Sequence, residues 1–321
     1  MSPWRSGVGF RAILSGTGHC VPAAVLTNAE LERRVSTTDT WITERTGIRE
    51  RRIAAPGEKA SDLALVAAQR ALDAAGLAPE FLDMILVATV TPDRPLPAVG
   101  PTLQAALGAR CPALDFSAAC AGFVYGLSLA RAQIESGQAQ HVLLVGVEVL
   151  SRRVDFTDRE TCILFGDGAG AVVLSGVPAE TGRGLLHTRL GADGRFADIL
   201  RIDADEGVIR MEGREIFRHA VNRLTEVIEA ALAETGWSAA DVNLVVPHQA
   251  NLRILEAVAK RIDVPRERIY ANLERYGNTS AASIPIALDE ARREGRLADG
   301  DKVLFAALGA GLVWGAATLV W

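Results

Sequence analysis

Two apolar runs, each opened by an aspartate, stand out along the chain: Asp83-Met-Ile-Leu-Val-Ala and Asp241-Val-Asn-Leu-Val-Val. Short apolar runs bounded by polar residues predict buried strands. The segment from Ala121 through Gly122, Phe123 and Val124 to Ala132 repeats its apolar positions at helical spacing, which predicts a helix opening just after Cys120. The last 19 residues, Val303 to Trp321, carry no charge and are long enough for a spanning helix. Their three glycines (Gly309, Gly311, Gly315) and β-branched residues predict instead two buried strands joined by a tight turn, and no membrane anchor.

The pattern repeats. Asp83 and Asp241 open the two strands 158 residues apart, Gly137 and Gly295 close two alanine-rich helices at the same offset, and Cys120 and Asn278 differ by 158 as well. Val142-Leu-Leu-Val-Gly and Val303-Leu-Phe-Ala-Ala follow at 161, a slip that fits an insertion in a loop. Two copies of one strand–loop–helix–strand unit account for this, so the expected architecture is α/β with two duplicated halves, residues 1–176 and 177–321, joined near Gly176-Val-Pro178. The 158 offset further predicts that Cys120 and Asn278 are equivalent positions meeting in one central cleft. His248, just past the second-copy strand, would sit on a loop facing the same cleft.

Composition narrows the function. With 321 residues, 49% of them hydrophobic, the chain can bury a large core. A net charge of −5 argues against a general nucleic-acid binder. Cys20, Cys111, Cys120 and Cys162 are scattered without Cys-x-x-Cys spacing, and Met1 to Phe10 holds no apolar run, so a reduced cytoplasm is expected.

Three distant segments then read as one site: Ser117-Ala-Ala-Cys120-Ala-Gly-Phe, Pro247-His248-Gln-Ala-Asn251-Leu-Arg253 and Tyr276-Gly-Asn278-Thr-Ser. A thiol at a helix N-terminus is expected to have a lowered pKa, and cysteine is a strong nucleophile toward thioesters. Histidine and asparagine can donate hydrogen bonds to an enolate oxygen. Taken singly, each residue has a plainer reading: a buried cysteine, a hydrogen-bonded histidine at a strand end, a turn or cap asparagine. Gly309-Ala310-Gly311 can lend a backbone N–H to an oxyanion or be a simple turn. Gly166-Asp-Gly168-Ala-Gly170 lacks both the dinucleotide fingerprint and a Walker lysine and reads as a close-packed turn. Trp41 and Arg45 can stack on an adenine and meet its phosphates, or cover a helix end. Arg214 and Arg218, one helical turn apart, call for an acidic partner or a solvated face.

On these residues the chain resembles β-ketoacyl-acyl-carrier-protein synthase III. The likeness runs from about Phe10 to Trp321 through Trp41-Ile-x-x-Arg-Thr-Gly-Ile-x-x-Arg51, Ala119-Cys-Ala-Gly-Phe123, Asp158-Arg159, Phe165-Gly-Asp-Gly-Ala-Gly-Ala171, His248-Gln-Ala-Asn-Leu-Arg253 and Tyr276-Gly-Asn-Thr-Ser280. The resemblance implies a thiolase-like fold in an α-β-α-β-α arrangement and a homodimer that uses no metal or redox cofactor. It implies that Cys120 takes an acyl group from acyl-CoA. A malonyl carrier protein then loses carbon dioxide while His248 and Asn278 stabilise the enolate, and the carbanion attacks the acyl-cysteine. The backbone N–H groups of Cys120 and Ala310 would hold the oxyanion. Trp41 and Arg159 would sandwich the adenine of CoA with Thr37 and Arg45 nearby, Gly213 and Asn251 would line the pantetheine tunnel, and Arg218 and Arg253 would face the acyl carrier protein.

Departures from the family pattern bear on specificity. Leu308 stands beside the cysteine where many members have phenylalanine, and Leu96 falls where some members insert a phenylalanine into the partner's acyl pocket; as acyl-pocket residues they leave more room, which predicts a branched or medium-length primer. The stretch Gly194 to Arg210 is shorter than usual, and Glu160 replaces a common glycine; both point to an altered cofactor mouth. The rival readings are a starter-loading enzyme or acyltransferase of a polyketide pathway and a non-catalytic carrier-protein-binding partner. The intact Cys120, His248 and Asn278 weigh against the latter.

Overall fold

The structure, a computed structural model, describes residues 9–321. The N-terminal stretch examined for a leader lies almost wholly outside them. The first half runs β1 (Phe10–Cys20), β2 (Ala24–Thr27), α1 (Asn28–Leu31), α2 (Asp39–Thr46), β3 (Glu50–Ile53), α3 (Ala60–Ala75), β4 (Met84–Ala88), α4 (Val99–Leu107), β5 (Ala113–Phe116), α5 (Gly122–Glu135), β6 (His141–Val149) and β7 (Asp167–Pro178). The second runs β8 (Gly184–Ala192), β9 (Leu200–Ile202), β10 (Ile209–Met211), α6 (Gly213–Thr235), β11 (Leu244–Pro247), α7 (Leu252–Arg261), α8 (Leu273–Tyr276), α9 (Ser283–Arg293), β12 (Lys302–Gly309) and β13 (Val313–Val320).

The apolar runs form the centres of two sheets, ordered β1-β7-β6-β4-β5 and β11-β12-β13-β8. In each half two parallel strands (β4 with β6, β11 with β12) are continued by two antiparallel ones. Only β5 lacks a full counterpart; a single parallel bridge, Val245 to Ile269, takes its place. The helices α5 and α9 are apolar on several sides because they lie between the sheets, in one core with Leu144, Val172, Val246 and Phe305. Phe123 and Phe305 meet there edge to face, centroids 6.3 Å apart, each burial contributing about 2–3 kcal/mol. Helices α3 and α4 cover the outer face of the first sheet, and α6 and α7 that of the second. This is the expected α-β-α-β-α stack of the thiolase fold.

The duplication is real, but its register is not 158. The turns before the strands, Pro79–Phe81 and Ala239–Asp241, align at 160. Asp83 therefore corresponds to Asn243, not Asp241. Each uses a side-chain oxygen to accept the N–H that opens the neighbouring strand, from His141 and from Lys302 respectively. Asp241 instead belongs to a capping box with Ser238. The turns Ala119–Ala121 and Ser280–Ala282 align at 161, as do their positive-φ residues, Ala119 (44°) and Ser280 (49°). Cys120 thus corresponds to Ala281, and Asn278 precedes the matching turn. Gly137 and Gly295 fall at 158 only because α5 has 14 residues and α9 has 11.

The halves meet slightly past the expected boundary: β7 continues to Pro178, and residues 179–183 carry the chain to the second sheet. Gly168 and Gly170 lie within β7 rather than in a turn. Val303 to Trp321 does form the expected strand pair β12–β13. Among the described residues no helix is long and apolar enough to cross a membrane.

Candidate active site

Cys120 lies in the 3-10 turn leading into α5 and is 8% exposed. The end of β12 lies directly against this turn: a Cβ on Gly309 would come within 2.6 Å of the Cys120 backbone nitrogen, so only glycine permits the approach. Ala310, the next residue, borders the same cavity as Cys120. The expected lowering of the thiol pKa is not found. Burial pushes it up to about 12, the Ser280 hydroxyl opposes the rise, and the charge of Glu148 adds to it. A helix N-terminus stabilises a thiolate, but desolvation of the buried sulfur outweighs it here.

His248 follows β11, and its N–H extends the parallel ladder to Ala306 O at 2.8 Å. The ring is buried, which lowers its pKa to about 3, so it is neutral. Its Nδ1 lies 2.7 Å from Ser283 Oγ. The Ser283 oxygen accepts the Gln249 N–H at 3.3 Å, and among the described residues its own proton has no acceptor other than His248. Ser283 therefore donates to Nδ1, and the imidazole carries its hydrogen on Nε2. Asn278 is oriented in the same sense. Its Oδ1 accepts the Ser280 N–H at 2.8 Å, which leaves the amide N–H₂ free to donate. Its backbone is bound to Leu164 O and Gly166 N on the opposing loop. His248, Asn278 and Cys120 line one cavity of about 130 Å³, so the site offers two neutral N–H donors beside a thiol. Ser283→Ala should release the ring and slow the enolate-dependent step by about tenfold, the value of one neutral hydrogen bond. Cys120 acylation should persist. A single-turnover comparison of the two half-reactions checks this.

The small cavity is a neck between two larger spaces. On one side it shares Met211, Gly213, Phe217 and Asn251 with a mouth of about 1090 Å³. Trp41, Arg45, Arg159, Glu160 and Arg253 also line that mouth. Gly213 and Asn251 thus stand where the tunnel was expected. Asn251 caps α7 and donates to Arg45 O at 3.0 Å. The guanidinium carbons of Arg45 and Arg159 each lie 4.6 Å from the Trp41 ring centroid. Arg159 therefore occupies the slot expected for an adenine and must withdraw to admit one. Thr37 does not line the mouth; its hydroxyl, buried just before the α2 cap, has no hydrogen-bond partner among the described residues. Arg218 is exposed and ion-paired with Glu215 at 2.5 Å.

On the other side of Cys120 lies a chamber of about 720 Å³ lined by Val90, Leu150, Phe165, Leu200, Ile202 and Ile209, among others. Leu308, expected beside the cysteine, lines the neck together with it, and Leu96, expected to reach into a partner's pocket, is 84% exposed. The short stretch Gly194 to Arg210 also shapes this chamber, through Ala197, Leu200 to Ala204, Gly207 and Ile209, rather than the cofactor mouth. Ser280, Ser283 and Glu148 carried no sequence signal for their parts, since each meets its partner only through the fold. Arg51, a fully buried guanidinium, donates to Leu26 O, Asn28 Oδ1 and Ile163 O and so fixes the loop bearing Phe165.

Known proteins share this arrangement. The family described as 3-oxoacyl-[acyl-carrier-protein] synthase III matches residues 114–194, and its C-terminal counterpart matches 232–321. The β-ketoacyl-[acyl-carrier-protein] synthase III of Sphingopyxis alaskensis is 50% identical over 316 residues, 96% of this chain and 98% of that one. The 3-oxoacyl-[acyl-carrier-protein] synthase III of Aquifex aeolicus superposes with a TM-score of 0.93 at 48% identity, covering 98% of this chain and all of that one. The priming β-ketosynthase of the R1128 polyketide pathway superposes at 0.91 with 35% identity, covering 98% of each. Fold and site together define a thiolase-fold ketosynthase, an enzyme of the acyltransferase class. Within that class the chain belongs to the β-ketoacyl-[acyl-carrier-protein] synthase III family.

Proposed function

We propose that the chain condenses an acyl-CoA primer with malonyl-acyl carrier protein, the step that initiates fatty-acid synthesis, with Cys120 as the acyl carrier. The observation that carries this is the placing of Cys120, His248 and Asn278 at one neck between a cationic mouth and an apolar chamber. The acyl thioester enters through the mouth, where arginines suit the phosphates of CoA and the acidic face of a carrier protein. The acyl group passes to the sulfur and lies in the chamber, with its carbonyl oxygen held by the N–H groups of Cys120 and Ala310. Malonyl thioester then takes the neck. As its carboxylate leaves as carbon dioxide, the freed electron pair forms an enolate held by His248 Nε2–H and the Asn278 amide. That pair makes the new carbon–carbon bond and expels the Cys120 sulfur. The electrons balance without a redox cofactor.

Two finer readings accompany this. Leu96 and Leu308, which stand where phenylalanine is common, support a branched or medium-length primer. The outermost strand of the first sheet, β5, has an open edge with Leu114 exposed, next to the loop that presents Leu96. Pairing of two β5 edges across a twofold axis would cover both, which supports a homodimer. The four free cysteines support a cytoplasmic location.

The test is intact-protein mass spectrometry after exposure to single acyl-CoAs of graded length and branching. A single adduct on Cys120, formed faster from a branched or medium-length donor than from acetyl-CoA, is expected. Preference for acetyl-CoA overturns the primer reading, and no adduct from any donor overturns acyl-CoA as the source.

A further inference from the structure

The largely apolar chamber beyond Cys120 has a cation in its wall, Arg153, for which the mechanism above has no use. A turn sets it there. Leu150–Arg153 is a 3-10 turn following β6, and residues three apart in such a turn stand over one another. Leu150 is buried against the chamber, so Arg153 is carried to the same side. The guanidinium itself reaches the wall: Nη1 lies 3.5 Å from the carbonyl oxygen of Gly207, another lining residue. Among the described residues this long contact is the one hydrogen bond of the Arg153 side chain, and no carboxylate pairs with it. Its neighbour Arg152 is the contrast, donating to the carbonyls of Ala55 and Glu58 on another loop. Two further charged residues line the chamber, and they cancel. Arg201 Nε lies 2.8 Å from Asp203 Oδ2, and Arg201 also donates to Asp198 O. Arg153 is therefore left as one uncompensated positive charge among mostly apolar lining residues.

A half-buried guanidinium holds its N–H donors in a planar fork that matches a carboxylate through two parallel hydrogen bonds. An acyl chain ending in a methyl or isopropyl group offers it no acceptor and displaces the water that would serve as one. We propose that the primer is an acyl thioester whose far end carries a carboxylate, held by Arg153 while the thioester carbon meets Cys120. This rests on acyl transfer to Cys120 as set out above, and it narrows the medium-length class to a charged one. Cys120 and Arg153 border the same chamber, so one acyl chain lying in it meets both. The methylenes between them lie along Val90, Leu150, Phe165, Leu200 and Ile209, where their burial is favourable. Neither acylation nor condensation touches the distal carboxylate, which keeps its charge throughout. The product is a 3-ketoacyl carrier protein with a carboxylate at its far end.

Glutaryl-, adipoyl- and suberoyl-CoA are each compared with the uncharged donor of the same shape, in which an isopropyl group replaces the terminal carboxyl. Rates of Cys120 adduct formation are read by intact-protein mass spectrometry in the wild type, Arg153→Leu, Arg153→Gln and Arg153→Lys. In the wild type at least one carboxylate donor should outrun its isopropyl counterpart by about tenfold or more, the worth of a charge-assisted hydrogen bond. Arg153→Leu and Arg153→Gln should lose that preference yet take the isopropyl donors within about threefold of the wild-type rate, a split that a merely structural arginine would not produce. Arg153→Lys should keep part of the preference, since it retains the charge without the fork. Equal or faster acylation by the isopropyl donor at every length in the wild type overturns the proposal, as does a preference that survives in Arg153→Leu. Should Arg153→Leu fail to fold, Arg153→Gln decides by the same comparison. The same acyl groups are also offered as N-acetylcysteamine thioesters, which carry no nucleotide for the mouth to recognise. A carboxylate preference seen only with these faults acyl-CoA as the source and supports the assignment of Arg153. No adduct from either series overturns both.

Discussion

Cys120→Ala is expected to fold, to form no acyl-enzyme, and to lose condensation by about 10⁴-fold or more, since the acyl group has no other nucleophile to occupy. Removing one buried sulfur costs roughly 1 kcal/mol of stability, well within what a large core tolerates. The same variant should still decarboxylate malonyl-acyl carrier protein. That step needs the two N–H donors of His248 and Asn278 at the neck, and neither depends on the thiol. Release of carbon dioxide without carbon–carbon bond formation, read by mass spectrometry of the carrier protein, would show that the site is divided into an acyl-holding part and an enolate-holding part. Loss of decarboxylation along with condensation would mean that the sulfur helps to place the malonyl group.

The three residues that share the neck were legible in the chain, because thiol, imidazole and amide each sit in a short distinctive segment. The alternation of apolar runs and helices likewise gave the α/β class, and the family resemblance gave the layering. What failed was geometry that depends on third parties. The 158 offset joined Asp83 to Asp241 and Cys120 to Asn278. The actual correspondence follows which side chain caps which strand and where each turn begins, and α9 is shorter than α5 by about one turn. The helix N-terminus at Cys120 was correctly located, yet its effect on the thiol was mis-signed because a linear sequence does not show enclosure. Leu308 was adjacent to the cysteine in the way expected, but it faces the neck. The chamber is built instead by residues from six loops and by the β9–β10 hairpin, which no periodicity links. Arg159 fell at the adenine position and is found resting on Trp41, a contact that costs little and leaves the slot closed until a base competes for it.

His248→Ala and Asn278→Asp should separate the two half-reactions. Each removes one donor aimed at the enolate oxygen, and loss of a single such donor slows the dependent step by about 10²–10³-fold. Aspartate is the sharper probe. It keeps an oxygen for the Ser280 N–H that orients Asn278, so the turn should survive, but it sets an acceptor where the enolate needs a donor. Condensation should therefore fall by at least about 10³-fold in Asn278→Asp. Cys120 acylation should change little in either variant, because the cavity-facing nitrogen of His248 already carries hydrogen and an amide is no base. Rapid-quench mass spectrometry of the acyl adduct, followed by a single turnover with malonyl-acyl carrier protein, measures both steps on one sample. If acylation in His248→Ala fell as far as condensation, the imidazole would be acting as base. Its hydrogen would then sit on Nδ1, with Ser283 accepting rather than donating.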